Sequence, residues 1–101
     1  MKGSLSPKSF SSVYNNSHII KTHKLLYRLA LNREVGIGFA LSRRLGPASK
    51  RNLLKRRLRS VYLPFLIKKN FGVIIVPKTI NLSWFEIKES FEVFLKKIND
   101  I

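Results

Sequence analysis

One hundred and one residues with no cysteine exclude a disulfide framework and any thiolate metal site, and they suit a reducing compartment. The length supports one domain over 1–101 with its own core, and a 45% hydrophobic content argues against a wholly disordered basic tail. A net charge of +15 says nothing about fold; it predicts a polyanionic partner, steered association and salt sensitivity.

The charge is unevenly placed. Residues 1–85 carry seventeen lysines and arginines against one acid, Glu34, while residues 86–101 carry three basic and four acidic side chains. No apolar run reaches the roughly eighteen residues of a membrane span, and the opening MKGSLSPKSF has no hydrophobic core of a secretory signal. The expectation is a cytoplasmic protein with no membrane partner.

Taken in order, Ser6-Pro7 opens a first helix, with Ser6 as N-cap and proline at the first helical position. Phe10, Val13 and Tyr14 then form one apolar stripe on a serine-rich helix, which packing must stabilise. Phe10 and Tyr14 read either as core or as an aromatic wall on which unpaired bases stack. Asn15-Asn16-Ser17 ends the helix.

From His18 to Leu31 the chain reads extended, with Leu25, Tyr27, Leu29 and Leu31 alternating against Lys24, Leu26, Arg28 and Ala30. Asn32-Arg33-Glu34 is a turn, and VGIGFALS follows with Val35, Ile37, Phe39 and Leu41 on one face. The two runs predict a hairpin. The small face of the second run lets a helix or a ligand backbone come close.

The stretch Ser42 to Arg59, SRRLGPASKRNLLKRRLR, holds eight basic residues and no acid. Read as a helix from about Pro47, it sets Arg51, Asn52, Lys55, Arg56 and Arg59 on one arc of about 140°. Leu54, Leu58, Val61 and Phe65 fall on a neighbouring apolar arc. Like-charge pairs such as Arg51–Lys55 and Lys55–Arg59 each cost the helix roughly 0.2–0.5 kcal/mol. An outside polyanion relieves that repulsion most cheaply. Arginine forks grip phosphate oxygens, lysines act as point charges, and the helix N-terminus near Gly46–Ser49 adds backbone N–H groups. Composition alone does not separate RNA from DNA.

Pro64 limits the clean helix to about Leu63 or marks a kink. Lys68-Lys69-Asn70 reads as a loop, and FGVIIV (71–76) as an inner strand buried on both faces and ended by Pro77. The last helix has Ser83 as N-cap, Glu86 completing a capping box, and Leu82 with Ile87 as a hydrophobic staple. Trp84, Ile87, Phe91, Phe94, Leu95 and Ile98 form its expected buried stripe; Trp84 also reads as a base-stacking residue, but the periodicity favours core, so the helix reads as mainly structural. Helices packed on a small sheet make an α+β sandwich.

The motifs of chemistry are missing. There is no GxxxxGK[ST] loop, no evident general acid–base pair, and His18 and His23 stand on opposite faces of a strand-like run, unsuited to a shared metal. We therefore expect no catalytic residue, no protein metal site and no small-molecule substrate.

Ser42-Arg43-Arg44-Leu45-Gly46, followed by Lys50-Arg51-Asn52-Leu53-Leu54-Lys55-Arg56-Arg57-Leu58-Arg59, closely resembles the signature of the bacterial ribonuclease P protein component. Leu53 departs from it where many members carry a further basic residue. SFSSVY resembles the family's first helix, KLLYRLAL the strand whose aromatic lines its central cleft, and FGVIIVP the strand after the basic helix. The resemblance implies an α-β-β-β-α-β-α two-layer sandwich with a left-handed βαβ crossover, a class shared with one domain of a small-subunit ribosomal protein. It implies that Arg43, Arg44, Lys50, Arg51, Asn52, Lys55, Arg56 and Arg59 bind the ribonuclease P RNA. Phe10, Tyr14 and Tyr27 would line a cleft for the single-stranded 5′ leader of precursor tRNA. The RNA would carry out the hydrolysis with Mg2+, which it would itself mainly hold. A small basic ribosomal-type RNA-binding protein is the alternative with the same charge, and a membrane-surface helix is a remoter one.

Overall fold

The computed structural model describes residues 3–15, 17–31 and 35–99. The expected turn at Asn32-Arg33-Glu34 and the helix stop at Asn16 lie outside the described residues. The chain runs α1 (Pro7–Asn15), β1 (His18–Lys21), β2 (Leu25–Leu31), β3 (Gly36–Phe39), a short 3-10 turn (Arg43–Leu45), α2 (Ala48–Lys69), β4 (Phe71–Pro77) and α3 (Trp84–Ile98).

The four strands stand in the order β1-β2-β4-β3. β1 and β2 are antiparallel, so the extended run from His18 to Leu31 folds back on itself about Thr22. The expected hairpin between β2 and β3 does not form. β4 lies between them, antiparallel to β2 (Leu25 opposite Pro77) and parallel to β3 (Gly36 opposite Gly72). The reason is in the side chains. β4 is apolar on both faces, and such a strand is best served where both edges are paired and both faces covered. The glycine-bearing β3 takes the edge instead. That edge is itself covered: Leu5 N–H donates to the Ile37 carbonyl (3.1 Å) and Ile37 N–H to the Gly3 carbonyl (2.8 Å). Gly36 permits this approach, with φ of 137° and only 2.5 Å between an added Cβ and the Gly3 carbonyl oxygen.

Strand alternation divides the core in two. Leu25, Tyr27 and Leu29 of β2, Ile37 of β3, and Val73 and Ile75 of β4 pack against Leu54, Leu58, Tyr62 and Leu66 of α2 and Ile87 and Phe94 of α3. On the other face, Val13 of α1 meets Ala30 and Ile74 as its fully covered partners among the described residues, with Leu5, Phe10, Ala40 and Val76 around them. Gly38 is the close-approach point expected of the small-residue strand: an added Cβ would stand 2.8 Å from the Phe10 ring.

α2 runs past Pro64 to Lys69, where Asn70 caps it in the left-handed conformation, so the expected loop at 68–70 is the helix's last turn. Proline is tolerated because it sits on the exposed side, as does Ser60, whose carbonyl it leaves unbonded. The inward stripe is centred on Leu54, Leu58, Tyr62 and Leu66, with Val61 and Phe65 half-buried beside it. α3 begins as its sequence dictates: Ser83 Oγ accepts from Glu86 N–H (3.2 Å) and Glu86 Oε1 accepts from Ser83 N–H (3.1 Å). Leu82 and Ile87 are both buried.

Candidate nucleic-acid interface

The basic lead-in is a built turn rather than a loose loop. Ser42 caps it by accepting from Arg44 N–H (3.1 Å), and both Arg43 and Arg44 project into solvent. α2 then starts without any side-chain cap and without an acid in its first turn; its first intrahelical bond is Arg51 N–H to the Pro47 carbonyl. The preceding N–H groups and the positive end of the helix dipole face outward beside exposed Lys50.

Along α2, the burial of Leu54 and Leu58 fixes the rotation of the helix, and that rotation presents the arc foreseen from sequence. Asn52, Lys55, Arg56 and Arg59 together line one open depression of about 330 Å³. Arg51 and Arg59 lay their stems inward: their Nε atoms are buried with no acceptor among the described residues, and the Arg59 guanidinium stands 5.5 Å from the Phe39 ring centre. Neither head is paired with a carboxylate among the described residues. Among the described residues the ion pair is Lys24 with Glu86, which joins the β1–β2 turn to α3 and holds the Glu86 carboxyl below its usual range, chiefly through the hydrogen bond from Lys24. No carboxylate of the described residues neutralises the depression.

The second expected surface is only partly assembled. Phe10 and Tyr14 stack along α1, ring centres 6.3 Å apart and 15° from parallel, and Tyr14 is exposed. Tyr27 does not join them. It is fully buried on the opposite face of the sheet, its hydroxyl hydrogen-bonded to that of Tyr62 at 2.5 Å and its ring 4.4 Å from Phe94. Burial pushes the Tyr27 hydroxyl up to about 12 and raises that of Tyr62 further. The expectation for Tyr27 is therefore corrected. β2 alternates, and the residue it turns toward α1 is Arg28, whose guanidinium lies 4.0 Å over the Tyr14 ring and donates to the Tyr14 carbonyl (3.2 Å). Both faces of β2 carry leucines, so alternation alone gave no sign of which one meets α1.

Trp84 is the second correction. It shares an arc with Phe91, but it is the first residue of α3 and is 44% exposed. What lies over it is the Arg57 guanidinium, 5.5 Å from the ring centre. Sequence reasoning passed over Arg28 and Arg57 because neither falls on the main basic arc; only the neighbouring aromatics mark them.

Among the described residues no three His, Cys, Asp or Glu side chains gather to hold a metal, and Glu86 is committed to Lys24 and to its cap. No helix of the described residues is long and apolar enough to cross a membrane.

Comparison with known proteins gives one consistent result. The family profile described as Ribonuclease P matches residues 5–99. A ribonuclease P protein component from Phytoplasma australiense is 35% identical over 81 residues, covering 74% of this chain and 70% of that protein. One from Lactococcus lactis subsp. cremoris is 29% identical over 94 residues, covering 88% and 80%. The fold matches solved structures: the RNase P protein from Thermotoga maritima at a TM-score of 0.75 (18% identity, 93% of this chain, 96% of that one), and the Staphylococcus aureus RNase P protein at 0.72 (21% identity, 92% and 91%). A basic helix crossing between two parallel strands, on a sheet of this order, thus has close counterparts in both sequence and shape, and the chain belongs to the ribonuclease P protein component family, RNA-binding proteins of tRNA processing.

Proposed function

We propose that this chain is the protein subunit of a ribonuclease P holoenzyme, in which the RNA subunit performs the hydrolysis that frees the 5′ end of tRNA. The observation that carries the reading is the unneutralised depression of Asn52, Lys55, Arg56 and Arg59 on α2. Its donors suit the phosphates of the ribonuclease P RNA, with Arg43, Arg44, Lys50 and Arg51 extending the same positive field toward the helix N-terminus. The single-stranded leader of precursor tRNA lies across α1, where Phe10 and Tyr14 offer stacking faces and Arg28 closes one side.

The contribution to the reaction is electrostatic and positional. Two polyanions repel, and a cationic wedge between them lowers the cost of bringing the precursor to the RNA. Affinity for the leader then favours precursor over mature tRNA, which lacks it. Mg2+ is held by the RNA and supplies the metal chemistry of phosphodiester hydrolysis.

Reconstitution with a bacterial ribonuclease P RNA at low Mg2+ tests this. Cleavage of precursor tRNA should rise with the wild-type chain and fall sharply for Arg56→Ala and Arg59→Ala, while Tyr14→Ala weakens precursor affinity specifically. About six phosphate contacts give log K against log salt a slope of roughly −4 to −5. A slope near zero, or equal rates for all four proteins, would refute the proposal.

A further inference from the structure

α2 carries a second feature on the flank that adjoins the Asn52 depression across Arg56. Leu53, Arg56, Arg57 and Ser60 recur at helical spacing and meet Trp84 of α3 around an open hollow of about 410 Å³. A second hollow of about 410 Å³ adjoins it, sharing Leu53 and Arg57 and reaching Lys50. Leu53 is 39% exposed and Trp84 44%, so an apolar and aromatic strip lies open between cations.

Packing does not explain this strip. Trp84 precedes the buried stripe of its own helix, and Leu53 sits one position outside the stripe of α2. The charge around it is also one-sided. Lys50, Arg56 and Arg57 border the two hollows, and the one acid there, Glu86, is already paired with Lys24. A second copy of the chain would bring another +15 to the contact, which opposes self-association. An occupant that offers a flat π-face together with a phosphate satisfies both halves of the groove.

We infer that the groove between α2 and the first turn of α3 is a second RNA contact, taking one unpaired nucleotide with its base against the Trp84 indole and its phosphate on Arg57. Arg56 lines both this groove and the Asn52 depression, so one strand can pass over it from the first to the second. Leu53 then has a role of its own: it is the apolar floor beside the base, where a basic side chain would add charge and remove stacking surface. The inference rests on the chain binding RNA, though not on which side of α2 does so.

Trp84 is the chain's sole tryptophan, so its emission reports on this groove. The experiment titrates the full chain with end-labelled oligouridylate and follows label anisotropy and indole emission together. An inorganic polyphosphate of matched charge serves as the base-free arm. Oligouridylate should bind and quench Trp84; polyphosphate should bind and leave the emission unquenched. Trp84→Leu should weaken oligouridylate binding about tenfold, the loss of one base–aromatic stack, and Trp84→Phe should recover most of it. Arg59→Ala should lower affinity without changing the quench at saturation. Binding without quenching, or equal quenching by polyphosphate, overturns the groove while leaving RNA binding elsewhere on α2 intact. A flat anisotropy overturns both readings. A dimer that shields Trp84 in the absence of RNA gives the groove to a second copy and also overturns the inference.

Discussion

The two faces of the sheet are built to different specifications. The face under α2 and α3 is thick: Tyr27, Tyr62, Phe91 and Phe94 pack ring against ring, with centre distances from 4.4 to 6.4 Å. The face under α1 is thin, with Val13, Ala30 and Ile74 as its fully covered residues, and it leaves Tyr14 and Arg28 at the surface. The lesson is a division of labour. One face fixes the shape of the molecule, and its solidity lets the other keep aromatic and cationic groups at the surface at little cost to stability.

The largest test of that division is a pair of truncations. Phe94→Ala should cost about 3–5 kcal/mol in chemical denaturation, as expected for a fully buried ring. Tyr14→Ala should change stability by no more than about 0.5 kcal/mol while weakening binding to a single-stranded leader. If the two changes destabilise equally, the faces are not distinct. Next in size is Gly38→Ala, whose methyl group would meet the Phe10 ring at 2.8 Å. Overpacking there should cost about 1–3 kcal/mol and shift α1. On the proposed function, affinity for a single-stranded leader should fall with it, whereas RNA binding by α2 should not.

Two pH effects probe the thick side alone. The Tyr27 and Tyr62 hydroxyls ionise less readily when folded than unfolded, so their contribution is fully present below pH 10 and is lost as pH rises, through about 12 for Tyr27 and beyond it for Tyr62. Denaturation curves across that window should move to lower denaturant, and Tyr62→Phe should reduce the movement. The smallest effect belongs to Glu86. Its carboxyl is held low by Lys24, so this contribution is present above the ordinary glutamate range and lost as pH falls through the lowered folded value. Glu86→Gln should flatten the acid limb of the stability profile slightly; an unchanged limb would show that the pair with Lys24 contributes nothing measurable.

Sequence patterns were legible where one residue type had one physical use. The capping box at Ser83 and Glu86 was such a case, and so was the apolar run of β4. The arc of Arg51, Asn52, Lys55, Arg56 and Arg59 followed once Leu54 and Leu58 were set inward. Legibility ended where two arrangements suited the same pattern. β2 has leucines on both faces, so Tyr27 could point either way, and the sheet's third dimension decided it. A short connection between β2 and β3 favours a hairpin locally, yet the doubly apolar β4 outweighs it by taking the inner position. Trp84 has the rotation of a core residue but not the depth, because α3 begins before it reaches the thick layer.

The placement of β4 bears on how the chain is made. Its rungs with β2 join residues that are remote in sequence, from Leu31 with Phe71 out to Leu25 with Pro77. While the nascent chain is still short of Phe71, the β1–β2 hairpin and β3 have no strand to join them, and α2 emerges with its leucines uncovered. Assembly must then wait and close late, in one cooperative step, as expected when most pairings are distant. A truncation ending at Asn70 should show no protected amides in β2 by hydrogen exchange, and protection there would mean that an earlier partner substitutes for the missing strand.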